Sequence, residues 1–180
     1  MKKLFAAIAF ATLPLLAVAH GPTPQKVEKT VTISAPPAKV WAIVKDFGGM
    51  QKWHPAVVST KLENKPDPDG KPTTYRTLNL KGGGTIVEYL SYAKDDEMKI
   101  KYYMTTDTVL PVTDYVGTMQ VKAGATANES VVTWVGRFYR KYTLNPPIPA
   151  GQDDASAVTA VTGVFDAGLP NLKKVAEGKK

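Results

Sequence analysis

The sequence contains no cysteine among its 180 residues. Disulfides, thiolate metal sites and covalent haem attachment are therefore excluded, and the fold must be stabilised by a packed core. Histidine is scarce, since only His20 and His54 are present, and no serine lies in a nucleophile-elbow context. Gly82-Gly83-Gly84 lacks the spacing of a nucleotide-binding loop and reads as a hairpin turn. These absences argue against thiol enzymes, serine hydrolases and nucleotide-binding enzymes.

Long apolar runs are also lacking, apart from one at the start of the chain. Lys2 and Lys3 precede the apolar run Leu4–Leu16, and Ala17-Val18-Ala19 forms an Ala-x-Ala cleavage site. The run is too short to span a bilayer comfortably. Residues 1–19 are therefore predicted to be a signal peptide cleaved after Ala19, which implies export to a bacterial periplasm and no membrane span in the mature protein.

Positive charge exceeds negative charge, with 23 Lys and Arg against 16 Asp and Glu and a formal net charge of +7. An exported protein seldom meets nucleic acid, so we expect no nucleic-acid partner. Two interpretations stay open: a solubilising surface, or steering toward an acidic protein partner. The surplus is spread over Lys99, Lys101, Arg137, Arg140, Lys141, Lys173, Lys174, Lys179 and Lys180.

The stretch 31–57 predicts a strand followed by two short helices. Val31 and Ile33 alternate with polar neighbours, the two-residue period of a half-buried strand. Pro36 and Pro37 end the strand and suit the first turn of a helix. The apolar stripe of that helix comprises Val40, Trp41, Val44 and Phe47. A glycine pair then breaks the helix before an aromatic turn.

Six further strand signals follow, joined by short turns rich in glycine, proline, asparagine and aspartate. They lie at 56–62, 73–80, 85–92, 98–105, 114–122 and 130–142, and even spacing of this kind is typical of an antiparallel meander. Apolar residues at helical spacing then mark a C-terminal helix over about 155–176. Pro170 inside that pattern predicts a kink or a break near Gly168.

These elements predict an α+β protein with one domain over residues 26–178, preceded by an extended arm over 20–25. An apolar C-terminal helix needs a covering surface, and a curved sheet is the surface that this chain offers. Packing therefore favours a helix-grip arrangement, in which an antiparallel sheet of about seven strands wraps around the long C-terminal helix.

The hairpin around Gly82–Gly84 gives the sharpest local prediction. Alternation places Arg76 on the same strand face as Leu78, and Glu88 on the same face as Ile86. A three-residue loop then sets Arg76 directly opposite Glu88, on the concave side of the sheet. A two-residue loop is the alternative and would set Arg76 opposite Tyr89. Inward charges are costly unless they are paired, which favours the first register.

Alternation also places large aromatic residues on the inner faces of later strands and of the C-terminal helix. Small residues beside them, Gly117, Gly136, Ala160 and Gly163, could leave a void. Two interpretations stay open: a satisfied ion pair in a filled core, or a ligand-binding cavity. The candidate cavity residues are Arg76, Glu88, Tyr102, Tyr115, Trp134, Phe138 and Phe165. Trp53 and His54 lie in an exposed-looking turn and are placed at the cavity mouth.

No catalytic residue, cofactor or metal site is predicted. Asp67 and Asp69 are too few ligands for calcium. One copper arrangement is an alternative: after cleavage, the amine and imidazole of His20 would supply two nitrogen ligands, with His54 as a third.

The chain resembles the SRPBCC superfamily, which contains START and Bet v 1-like proteins and the polyketide cyclase/dehydrase branch. The resemblance begins with the order of strand, double proline and apolar helix in VTISAPPAKVWAIVKDF and covers essentially the whole mature chain. The resemblance implies the helix-grip fold independently of the packing argument. It does not by itself imply catalysis.

At finer resolution the chain is similar to MxaD-type proteins, small periplasmic proteins of methylotrophic bacteria. The similarity rests on KWHPAV, RTLNLKGGGTIVE, GRFYR with NPP, and AVTGVFDAGL. It implies an accessory role in methanol oxidation, with methanol dehydrogenase and its cytochrome c acceptor as partners. A carrier of a hydrophobic small molecule and a cyclase-like enzyme are the alternatives.

Overall fold

The structure is a computed structural model that describes residues 21–179. The predicted signal peptide, its cleavage site and His20 lie outside the described residues. Among residues 21–179, no helix is both long and apolar enough to cross a bilayer.

The described chain contains seven strands and two α-helices. The strands are β1 (Gln25–Ile33), β2 (Val57–Pro66), β3 (Pro72–Leu80), β4 (Thr85–Lys94), β5 (Lys99–Asp107), β6 (Val112–Ala123) and β7 (Ser130–Arg140). The helices are α1 (Pro37–Val44) and α2 (Asp154–Ala176). All six later strands were predicted within a few residues of their observed bounds. The predicted arm ends earlier than expected, because Gln25 already pairs with Phe138 in β7.

The strands form one antiparallel sheet in the order β1-β7-β6-β5-β4-β3-β2. Strands β2 to β7 are a meander in which each pairs with the next along the chain. Strand β1 joins the far end by pairing with β7, from Gln25 opposite Phe138 to Ile33 opposite Ser130. The sheet therefore has β1 and β2 as its edges, and the predicted seven-stranded helix-grip fold is confirmed.

Helix α2 lies across the concave face of the sheet. It buries the apolar stripe Ala157, Val161, Phe165, Leu169, Leu172 and Ala176. Its first turn is capped by Asp153, whose carboxylate accepts a hydrogen bond from the Ser156 amide at 2.7 Å. The helix runs unbroken through Pro170, so of the predicted kink or break near Gly168 the break is wrong. Pro170 is exposed, and water can satisfy the carbonyl that loses its partner there.

The segment between β1 and β2 holds one of the two predicted short helices. Helix α1 buries Val40, Trp41 and Val44. The second predicted helix is only a 3-10 turn over Met50–Lys52. Phe47 is buried just beyond α1, so the segment closes one end of the space between sheet and α2.

Candidate functional site

Arg76 and Glu88 face each other across the β3–β4 hairpin. The register pairs Arg76 with Glu88 and Leu78 with Ile86, which confirms the three-residue-loop prediction and rules out the alternative. Arg76 Nε donates a hydrogen bond to Glu88 Oε2 at 2.6 Å. The two side chains are only 6% and 5% exposed. The pair lies inside the molecule, as predicted.

Two aromatic rings surround the guanidinium of Arg76. Its Cζ lies 4.2 Å from the centroid of the Phe47 ring and 4.8 Å from that of Tyr102. Arg76 Nη1 also donates to the Phe47 carbonyl at 3.3 Å. The buried cation is therefore neutralised by a carboxylate, hydrogen-bonded and stacked, which offsets the cost of its burial.

Two tyrosines and a tryptophan occupy the centre of the interior. Trp134 Nε1 donates to Tyr102 Oη at 2.8 Å, and the Tyr102 and Tyr115 rings lie 6.4 Å apart. Burial raises the pKa of Tyr102 well above its ordinary value, and the nearby Glu88 carboxylate adds to the shift. Burial likewise raises the pKa of Tyr115. Both phenols stay protonated at neutral pH, so neither can act as a general base there.

The expected void beside small residues is filled by aromatic rings. A Cβ added at Gly117 would come within 2.1 Å of the Tyr102 ring, so that ring packs directly on the backbone. A Cβ at Gly136 would meet Tyr115 at 3.0 Å and Phe165 at 3.2 Å. Gly163 faces outward on α2 with nothing within 4 Å. The glycines admit large rings and do not leave space for a ligand.

A cavity of about 30 Å³ remains between the sheet and α2. A single water molecule needs roughly 10–15 Å³ by the same measure, so the cavity has room for very few waters. Five predicted residues line it: Glu88, Tyr102, Tyr115, Trp134 and Phe165. The rest of its wall is formed by Met50, Leu78, Ile86, Met104, Leu110, Val161 and Val164. Alternation had already placed Leu78 and Ile86 on this face, whereas Met50, Leu110 and Val164 were not predicted.

The other two predicted cavity residues lie beside this space. Arg76 lines a separate void of about 10 Å³. Phe138 is packed against Tyr115, with ring centroids 6.1 Å apart. The predicted set therefore does come together in the interior, as packed core around a small void.

Trp53 and His54 are buried, 4% and 3% exposed, so their predicted place at an exposed mouth is wrong. The reason is that α2 covers the turn: His54 Nε2 lies 3.0 Å from the Val164 carbonyl. His54 Nδ1 accepts a hydrogen bond from the Ala56 amide at 3.3 Å, which assigns the proton to Nε2. Burial lowers the pKa of His54, so its ring is neutral at pH 7.

The copper alternative loses its third ligand in this arrangement, because both His54 nitrogens are occupied by the protein. His20 lies outside the described residues. Within residues 21–179, no three His, Cys, Asp or Glu side chains are grouped so that they could hold a metal ion.

A polar groove of about 340 Å³ opens where β5 and β6 separate. Direct pairing of these strands ends at Tyr103 and Val116, and β6 has an irregular register against β7 between Thr113 and Val116. The groove shares Met104 and Tyr115 with the inner cavity. These two side chains separate the interior from solvent at this end of the sheet.

The predicted cationic residues divide into buried and exposed sets. Arg140 is 4% exposed and pairs with Asp154 at 3.2 Å, so it serves the docking of α2. Lys99, Lys101 and Arg137 instead line a groove on the outer face of the sheet, away from α2.

Several solved structures have the same fold. An uncharacterised protein from Bacillus thuringiensis is 27% identical, with a TM-score of 0.67 over 84% of this chain and 98% of that one. The protein XoxI from Bacillus cereus is 27% identical, with a TM-score of 0.66 over 83% and 94%. The Zhui aromatase/cyclase from a Streptomyces species is 16% identical, with a TM-score of 0.63 over 87% and 93%, and shows likeness of fold alone.

No curated protein matches the chain significantly. The family model described as polyketide cyclase / dehydrase and lipid transport matches residues 24–177, which include every strand and helix of the domain. The START-like expectation from the sequence is thereby confirmed. The chain belongs to the polyketide cyclase/dehydrase and lipid transport family of the SRPBCC superfamily.

Proposed function

We propose that this protein is a non-catalytic periplasmic accessory protein that acts on other proteins through its surface. The observation that carries the proposal is the filled interior, where a cavity of about 30 Å³ replaces the ligand chamber that the fold could enclose. Ligand-binding pockets are commonly several hundred Å³ in size. A polyketide or lipid has no room inside without large rearrangement.

The chemistry of the interior also argues against an enzyme. Its charges, Arg76 and Glu88, neutralise each other at 2.6 Å. Tyr102 and Tyr115 are held protonated, and His54 has both ring nitrogens occupied. A general base must contact a proton of the substrate. These side chains instead contact other groups of the protein.

We further propose methanol dehydrogenase and its cytochrome c acceptor as the partners. This rests on the resemblance of KWHPAV, RTLNLKGGGTIVE and AVTGVFDAGL to MxaD-type proteins. The signal-like residues 1–19 support delivery to the periplasm, where such partners would be met. Basic residues outnumber acidic ones even without Lys2 and Lys3 of the predicted signal peptide, which supports attraction to acidic protein surfaces.

The test is an electron-transfer assay with purified methanol dehydrogenase and its cytochrome c. Residues 20–180 are added, and the initial rate of cytochrome reduction is measured against an equal amount of heat-denatured protein. We expect the rate of cytochrome reduction to rise when the folded protein is added and to stay unchanged with the heat-denatured protein. An unchanged rate over a full titration would reject the role in methanol oxidation.

A second candidate, a carrier of a hydrophobic small molecule, is favoured by one observation. The inner cavity and the polar groove between β5 and β6 share Met104 and Tyr115, so movement of these side chains would join them. Native mass spectrometry of protein purified from its own periplasm tests this. A stoichiometric bound molecule that is lost in the Arg76→Leu/Glu88→Leu variant would support the carrier, and the mass of the chain alone would reject it.

A further inference from the structure

Three tyrosines form a row across the outer face of the sheet. Tyr75, Tyr89 and Tyr103 are direct neighbours on β3, β4 and β5. The Tyr75 and Tyr89 rings lie 5.5 Å apart, and the Tyr89 and Tyr103 rings are stacked at 5.1 Å and 13°. This face is turned away from α2, so the row does not contribute to the core between sheet and helix.

Positively charged side chains lie next to the row of tyrosines. Tyr103 pairs with Val116 on β6, which pairs with Arg137 on β7. Lys101 Nζ lies 4.8 Å from the centroid of the Tyr103 ring, a cation–π distance. The row of rings therefore leads through Val116 to Arg137, with Lys101 beside Tyr103.

A groove of about 410 Å³ lies beside this row. We call it the outer groove and define it by its lining residues, Tyr92, Lys99, Lys101, Val116, Thr118, Val135 and Arg137. It carries three cations and no carboxylate. Glu97 approaches Lys99 only at 4.0 Å, and within residues 21–179 neither Lys101 nor Arg137 forms an ion pair.

An acid that Arg137 approaches on this face, Glu28, is already paired with a lysine. Glu28 on β1 pairs with Lys26, which with Arg137 holds the pKa of Glu28 below its usual value. The lining of the outer groove thus carries a surplus of positive charge, with Glu97 at 4.0 Å from Lys99. Elsewhere on the surface, several lysines do have a close acidic partner, as Lys45 has Asp95 and Lys52 has Asp46.

From this geometry we infer that the outer groove is the docking surface for an acidic segment of a protein partner. The carboxylates of that segment would meet Lys99, Lys101 and Arg137, and its apolar atoms would lie on Tyr92 and Tyr103. Tyrosine and arginine are the residues that most often dominate binding at protein interfaces. The inference rests on the proposed function and names the surface that would perform it.

A protein partner fits this face better than a membrane does. Binding to a bilayer surface draws on apolar side chains that enter the lipid. Among residues 21–179, the exposed large apolar residues are Val58, Leu62, Val109 and Leu144, and none of them lines the outer groove. Charge complementarity without an apolar anchor indicates a water-soluble acidic partner.

An NMR titration with a hexaglutamate peptide at low ionic strength locates the site without assuming any particular partner. Using isotope-labelled residues 20–180, we expect amide shifts at 99–103, 116–118 and 135–137. Shifts centred elsewhere, or no shifts up to millimolar peptide, would overturn the inference. Binding to phosphatidylglycerol vesicles through this face, without peptide shifts, would reassign it to membranes and overturn the inference as well.

Matched charge reversals then test the groove itself. The Lys99→Glu/Lys101→Glu/Arg137→Glu variant should bind the peptide at least about tenfold more weakly, because three attractions to carboxylates become repulsions. Its control, Lys39→Glu/Lys61→Glu/Lys174→Glu, changes net charge equally at exposed sites on α1, β2 and α2. Equal weakening in both variants would mean non-specific attraction and would overturn the inference.

The two proposals fail differently. If the peptide maps to the outer groove while the protein leaves methanol dehydrogenase unaffected, the proposed function fails and the docking surface stands. If the protein raises electron transfer equally well with the groove reversed, the function stands and the assignment of its surface is wrong. Circular dichroism of both triple variants should match the wild type, since all six side chains lie on the surface.

Discussion

The ring of Tyr102 packs directly on the backbone of Gly117, its partner across β5 and β6. A Cβ at residue 117 would lie 2.1 Å from Tyr102 Cζ. Tyr102 cannot move aside freely, because Trp134 donates to its hydroxyl at 2.8 Å and Arg76 lies over its ring. This contact is one reason that the fold encloses so little empty space.

Gly117→Ala should therefore destabilise the protein by about 1–3 kcal/mol, the usual cost of overpacking a core. Urea unfolding followed by tryptophan fluorescence measures it. Gly163→Ala is the matched control, since Gly163 is an exposed helical residue with nothing within 4 Å. That variant should be stabilised by about 0.5–1 kcal/mol. A Gly117→Ala variant as stable as the wild type would mean that the interior is looser than described.

The Arg76–Glu88 pair should behave as a coupled unit in a double-mutant cycle. Arg76→Leu or Glu88→Leu alone leaves one buried charge without its partner, which costs about 3–5 kcal/mol. Arg76→Leu/Glu88→Leu should cost much less than the sum of the two, since no charge is left behind. Chemical unfolding of all four proteins measures the coupling. Additive effects would show that the two side chains are not paired in solution.

His54 should make stability depend on pH. Burial holds the pKa of His54 in the folded protein below its ordinary value of 6.5. As the pH falls, His54 is therefore protonated in the unfolded chain before it is protonated in the folded one. Its contribution is fully present above about pH 6.5 and is lost as the pH falls from there toward the folded pKa. Free energies of unfolding from pH 7.5 to 5 should fall more steeply for wild type than for His54→Gln. Parallel curves would contradict the buried, neutral ring.

Glu177 should contribute to stability in acid over a lower range. The Lys179 ammonium, together with the Ser34 amide, lowers the pKa of Glu177 from 4.5 to about 2. Its contribution is therefore present above about pH 4.5 and disappears as the pH falls through 2.

Thermal unfolding of Glu177→Gln should show a lower melting temperature than wild type at pH 7 and a smaller difference at pH 2.5. Glu63→Gln is the control, because Glu63 pairs with Lys65 on the exposed edge strand β2 and should matter little. If both variants respond alike, the link between Ser34 and the end of α2 is not a specific contact.

The β3–β4 hairpin could be predicted from sequence because its determinants are local. Alternation predicted the faces of Arg76 and Glu88, and the need to pair two inward charges favoured the three-residue loop that the structure shows. The apolar stripe of α2 was equally clear, because helical periodicity identifies the buried face without knowledge of the partner.

The burial of His54 could not be predicted in the same way. The residue that covers it, Val164, is 110 positions away in sequence. Nothing in the local sequence of this aromatic turn, where His54 precedes a proline, indicates that a distant helix covers it. Only the path of α2 across the concave face decides that the turn is interior.

The outer groove could not be predicted from the sequence, for a related reason. Alternation places Lys99, Lys101 and Tyr103 together on the outer face of β5, but their neighbours on β4 depend on register. Strands β4 and β5 shift register between Leu90 and Tyr92, which brings Tyr92 beside Lys101. Bulges of this kind leave little trace in a single sequence.

The salt dependence of electron transfer tests most directly whether the protein works through its charged surface. The rate gain that residues 20–180 give to methanol dehydrogenase and cytochrome c is measured from about 0.01 M to 0.15 M ionic strength, where the screening length falls from about 30 to 8 Å. We predict a gain that shrinks steadily as salt rises, corrected for the rate without the protein. A gain that is insensitive to salt would contradict this account.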